Sequence, residues 1–94
     1  MTDHVSTHQA EEDARNEDIL IWVNGKIVPK QAAMVSVYDS GFMLGDGVWE
    51  GVRLYNGRWT FLDEHIHRLL DAAKAIDLDI GMTKKTVTNA LLET

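Results

Sequence analysis

The 94-residue chain has no cysteine, one proline and no run of apolar residues near the length that spans a bilayer. The first absence removes disulfides, thiolate metal sites and thiol nucleophiles, and it suits a reducing compartment. The second leaves Pro29 as the one residue that must interrupt a backbone ladder. A membrane helix needs about 18 or more apolar residues in sequence, so none is expected. The opening MTDHVSTHQAEED carries neither the basic nor the apolar block of a secretory leader, and a cytoplasmic location is expected. Basic residues are also scarce, 9 against 15 acids, which argues against a protein that grips nucleic acid through its phosphates.

Six of those acids fall in the first eighteen residues (Asp3, Glu11, Glu12, Asp13, Glu17 and Asp18) beside one base, Arg15, and no large apolar side chain follows Val5 there. Such a segment buries too little to repay its ordering entropy, so residues 1–18 are expected to form a disordered tail. His4 and His8 are there, in a setting more suited to solvation than to a metal site. Residues 19–94 are nearly neutral and are expected to form one small domain.

Two Asn-Gly pairs organise that domain. Ile19–Val28 surrounds Asn24-Gly25, and Val48–Leu62 surrounds Asn56-Gly57. Asn-Gly between β-rich runs signals a two-residue hairpin, because both residues tolerate positive φ. The second turn pairs Tyr55 with Arg58, Leu54 with Trp59, Arg53 with Thr60 and Val52 with Phe61. Alternation then puts Val52, Leu54, Trp59 and Phe61 on one apolar face, expected to meet the core. Glu50 shares that parity, which would turn a carboxylate inward. Between the hairpins, Met34–Asp39 alternates like a further short strand, and the glycines of Ser40–Gly47 read as a loop.

Asp63–Ile80 carries the helical stripe Ile66, Leu69, Leu70, Ala73 and Ile76, with Asp63 placed to cap its start and Gly81 to stop it. Thr83 opens a second helix with Val87, Ala90 and Leu91 on one side. That helix reaches Thr94 without a glycine or a basic last turn, so the chain is expected to be a fragment; a short helix docked on the sheet is the other reading. The fold class is therefore α+β, antiparallel hairpins packed against two helices.

Few residues suggest chemistry alone. His65 and His67 are two apart on a helix and face nearly opposite ways, so they do not chelate one ion. No nucleotide-binding glycine motif, calcium loop or nucleophile elbow is present. Arg68 reads either as a surface partner of Glu64 one turn away or as an anion clamp, since a guanidinium forks onto phosphate oxygens. The sequence Gly45-Asp46-Gly47 reads as a turn or as a close backbone approach to a ligand.

Taken together, WVNGKIV followed by YDSGFMLGDGVWEGVRLYNGRWTFLDEHIHRLLDAAKAI resembles the fold-type IV (class IV) pyridoxal-phosphate-dependent aminotransferases: branched-chain aminotransferases, D-amino-acid transaminases and aminodeoxychorismate lyases. The likeness covers about residues 20–92, and its sharpest parts are GDGVWEG, Arg53 and the EHIHRL helix start. It implies the small N-terminal domain of such an enzyme, a homodimer that moves an amino group between an amino acid and a 2-oxo acid. It implies that Arg68 holds the phosphate of pyridoxal 5′-phosphate and that Trp49, Leu44 and Phe42 shape the substrate pocket. The family pattern usually has Phe or Tyr where Trp49 stands, and often an aromatic where Leu44 stands.

The family's cofactor-anchoring lysine belongs to a second domain. None of Lys26, Lys30, Lys74, Lys84 and Lys85 matches it, so no catalytic residue is expected here and the 94-residue chain alone is expected to be inactive. EGVRLY favours branched-chain substrates, whereas GDGV is also common in D-amino-acid transaminases. A lyase on the same scaffold and a non-catalytic interaction module are the remaining alternatives.

Overall fold

A computed structural model describes residues 13–94, which divide into two compact units, one running to Ala33 and one spanning Met34–Thr94. His4, His8 and most of the expected acidic tail lie outside the described residues. Within that tail, Ala14–Asn16 forms one 3-10 turn. Asp13 caps it by accepting from the backbone N–H of Arg15 at 2.9 Å and from the Arg15 guanidinium at 2.6 Å.

The first unit is built on the first Asn-Gly hairpin. Strands β1 (Leu20–Val23) and β2 (Lys26–Pro29) pair antiparallel, with Val23 opposite Lys26 and Leu20 opposite Pro29. Asn24 and Gly25 have φ of 49° and 86°, the double positive φ that a type I′ turn requires. Pro29 falls at the end of the ladder, where its missing N–H breaks little.

In the second unit the region after Ala33 departs from expectation. Met34–Asp39 forms no strand. It turns instead, with the Asp39 N–H donating to the Ser36 carbonyl at 3.1 Å and the Tyr38 N–H to Ser36 Oγ at 3.0 Å. An alternating pattern makes a strand only where another strand supplies the ladder, and among the described residues no strand pairs with this segment. The glycine-rich stretch is likewise more than a loop. Ser40–Leu44 is a short helix, α1, capped by Asp39, whose carboxylate accepts from the Gly41 N–H at 2.9 Å. A Cβ on Gly41 would come within 2.8 Å of that carboxylate, so the glycine keeps the cap in place. Gly45 closes the turn at φ 74°, the left-handed geometry that ends many helices.

Strands β3 (Leu54–Tyr55) and β4 (Arg58–Trp59) form the second hairpin in the predicted register. The Thr60 N–H donates to the Arg53 carbonyl at 2.9 Å. The predicted Val52–Phe61 pair does not form, because Phe61 turns into the left-handed region at φ 52° and starts the next helix. The apolar face of this hairpin also meets no core: Leu54 and Phe61 are exposed and only Val52 is half-buried.

Helix α2 is Leu62–Ala75 and helix α3 is Lys84–Glu93; they pack on each other. Ile66 and Ala73, 1% and 3% exposed, are the buried apolar residues of the described chain. Asp63 is not the cap of α2. It lies in the first turn, where its charge complements the helix dipole, and it pairs with Lys84 at the start of α3 at 2.5 Å.

Nor does α2 reach Ile80. At its end the Leu78 N–H donates to the Ala73 carbonyl at 2.8 Å and the Asp77 N–H to the Lys74 carbonyl at 3.1 Å. That is a Schellman closure around Asp77 at φ 56°. Aspartate tolerates this conformation, so the helix stops at Ala75, six residues before Gly81, and leaves Ile76 exposed. Thr83 caps α3 as expected, with a reciprocal capping box to Thr86. No helix among the described residues is long and apolar enough to cross a membrane.

Candidate functional site

Three side chains from two parts of the second unit converge. Glu50 comes from the segment between α1 and β3; His65 and Arg68 come from the first half of α2, three residues apart and so on neighbouring positions of one helix face. Glu50 Oε1 accepts from His65 Nδ1 at 2.8 Å and from Arg68 Nε at 2.9 Å. It also accepts from Arg68 Nη2, and Oε2 accepts from Arg68 Nε at 3.1 Å. A carboxylate only accepts, so His65 carries its proton on Nδ1. The 3.3 Å approach of Arg68 Nη2 to that same nitrogen is then a packing contact.

Burial is graded across the cluster. The Glu50 side chain is 11% exposed, that of His65 21% and that of Arg68 69%. The carboxylate is thus a shielded post and the guanidinium an exposed tip. The bonds to Glu50 engage Nε and Nη2, so Nη1 stands on the edge turned away from it. Beside that tip lies a cleft of about 290 Å³ lined by Phe61, Glu64, His65 and Arg68.

The hydrogen bonds from Arg68, and then those from His65, hold the Glu50 carboxyl down to about 2. Arg68 is correspondingly raised by its bonds to Glu50. A depressed carboxyl stabilises the fold wherever the unfolded chain's glutamate would already be ionised, above about 4.5, and loses that contribution as pH falls toward about 2. In thermal melts across that range, wild type is expected to fall toward Glu50→Gln and to meet it at the acid end. Parallel curves for the two proteins would show that Glu50 contributes no such linkage.

The predicted site residues are placed unevenly. Arg68 lies off the buried stripe, as its sequence position implies, and its partner is Glu50 rather than Glu64. Trp49 adjoins Glu50 in the chain and is 85% exposed; Phe42 and Leu44 lie on α1, 69% and 73% exposed. Glu50 and His65 join Arg68 although neither was expected to be a site residue. The signals for them were the inward parity of Glu50 and the shared face of His65 and Arg68. His67 turns away and pairs with Asp71 at 3.2 Å. Among the described residues no group of three or more acids and histidines could hold a metal ion.

The described chain is α+β, with two antiparallel hairpins and two longer helices, and its second unit presents an anchored guanidinium at the surface. Over 74 residues, 79% of its length, the chain is 49% identical to a protein of Methanocaldococcus jannaschii provisionally named a branched-chain-amino-acid aminotransferase. It is 43% identical over 79 residues to branched-chain-amino-acid aminotransferase-like protein 1 of Arabidopsis thaliana, and 47% identical over 73 residues to D-alanine aminotransferase of Listeria innocua. No family model matches the chain. By these similarities the chain belongs to the class IV, pyridoxal-phosphate aminotransferase family, and its fold is consistent with the N-terminal subdomain of that fold type. The matched segments span 26%, 14% and 25% of the three relatives.

Proposed function

We propose that the chain is the N-terminal part of a pyridoxal-phosphate-dependent aminotransferase that moves an amino group between an amino acid, with branched-chain substrates favoured, and a 2-oxo acid. The observation that carries this reading is Arg68: a guanidinium fixed by Glu50 along one edge, exposed along the other, in a chain whose relatives bear aminotransferase names. Bound at such a site, the cofactor would supply an electron sink for chemistry at the amino acid's α-carbon. The chain's own residues bind and shape.

The fit to a phosphomonoester has two sides. The free edge of Arg68 matches two phosphate oxygens, the geometry in which arginine binds best. Two carboxylates, Glu50 and Glu64, stand close by and oppose a dianion. Arg68 would therefore act by short directed bonds rather than by raising the local potential, as one contact among several. Phe42, Leu44 and Trp49 would line the substrate side, which agrees with three large apolar side chains that packing leaves exposed. In this reading the enzyme is a cytoplasmic homodimer.

A D-amino-acid transaminase is the second reading, favoured by the 47% identity to the Listeria enzyme. One assay separates the two. The polypeptide encoded by the complete reading frame is incubated with pyridoxal 5′-phosphate and 2-oxoglutarate, with either leucine or D-alanine as amino donor. Glutamate is expected with leucine. Glutamate from D-alanine alone selects the second reading, and none from either donor rejects both. The 94-residue chain by itself is expected to give none.

A further inference from the structure

We propose that Glu50 is a positioning residue, which holds Arg68 so that the guanidinium presents its outer edge to a phosphomonoester dianion. The inference rests on the reading of Arg68 as a phosphate anchor and says what makes that anchor effective. An arginine this exposed would ordinarily sample many rotamers, and a ligand would have to order it at the expense of affinity. Here the Nε–Nη2 edge is already bonded to a carboxylate 18 residues away in sequence, on a different element. That carboxylate is in turn fixed by His65 at 2.8 Å and shielded from solvent. Glu50 thus pre-orders the guanidinium, and His65 orders Glu50.

The arrangement makes an unusual demand on sign. Considered as charge alone, Glu50 repels a phosphate, so neutralising it should tighten anion binding. Considered as a post, it organises the donor, so neutralising it should weaken binding. Glu64 provides the matched comparison. It lines the same cleft, carries the same charge, and no bond ties it to Arg68.

The test is titration of the 94-residue chain and its variants with inorganic phosphate, followed through the 1H–15N signal of the Arg68 Nε–H. Wild type is expected to show a well-ordered Nε–H that moves on addition of phosphate. Glu50→Gln is expected to lose that order and to bind roughly five- to tenfold more weakly. Glu64→Gln is expected to bind about twofold more tightly, by relief of a screened repulsion. If Glu50→Gln also tightens binding, or leaves the Arg68 signal as ordered as before, Glu50 is not a positioning residue.

The far-ultraviolet spectrum of each variant checks folding, and Glu50→Asp adds a second probe. It keeps the charge on a shorter arm, so weaker binding by that variant too supports the post over the charge, and wild-type binding counts against it. Failure of the underlying reading looks different: phosphate then leaves the Arg68 signal unmoved in wild type, and Arg68→Ala changes nothing.

Discussion

Replacing Ile66 with alanine is expected to unfold the second unit or bring it close to unfolding. Ile66 is the one large side chain among the described residues that is almost wholly shielded, at 1% exposure. Truncating such a residue typically costs about 2–5 kcal/mol, part lost transfer energy and part the cavity left behind. A small domain has only a few kcal/mol in hand, and Ala73, the other buried residue, is too small to compensate. Ile76→Ala supplies the comparison. Both residues belong to the stripe read from the sequence, but Ile76 is 49% exposed where the Schellman closure ends α2, so its loss should cost less than about 1 kcal/mol. Urea or thermal unfolding of the two variants measures the difference. Similar losses would mean that the stripe runs on past Ala75 in solution.

That contrast shows where sequence and structure part. Features fixed by the chemistry of two to four adjacent residues were legible. Asn24-Gly25 and Asn56-Gly57 adopt the positive φ their side chains permit, and Thr83 caps its helix with Thr86. Features that depend on a distant partner were not. Met34–Asp39 has a strand's pattern but, among the described residues, no strand pairs with it. Val52 lost its predicted partner because Phe61 was recruited to begin α2. The end of α2 was misplaced because aspartate took the left-handed position that the sequence pattern assigns to glycine.

The site was legible to the same degree. Glu50 is shielded as expected, though not through strand parity, since β3 begins only at Leu54, and Arg68 lies outside the core as the helical stripe implies. What no local pattern could supply was that these two side chains meet. Glu64 is one turn away from Arg68 and was the natural partner on helical spacing, yet the guanidinium takes Glu50, where a shielded carboxylate offers both oxygens. The missing information was the path of the segment from Gly45 to Val52, which carries no regular structure and therefore no periodicity from which its direction could be read.

Arg68 is also where the largest functional effect is expected. In the polypeptide from the complete reading frame, Arg68→Ala should weaken retention of pyridoxal 5′-phosphate roughly 10- to 100-fold, the range that follows from losing charge-assisted hydrogen bonds. The fold should survive, because the side chain is 69% exposed and Glu50 keeps its bond to His65 Nδ1. Arg68→Lys is the sharper variant. It preserves the charge but replaces a planar fork by a compact ammonium, which has no fixed edge to bond Glu50 in a bidentate way while holding a second edge toward a phosphate. If Arg68 works through geometry, the lysine variant should resemble the alanine variant more than wild type. If it works through charge, lysine should restore most of the affinity. Dialysis against cofactor-free buffer, followed by measurement of the cofactor remaining on the protein, reads all three. Wild-type retention by Arg68→Ala would return the residue to the role of a surface ion pair.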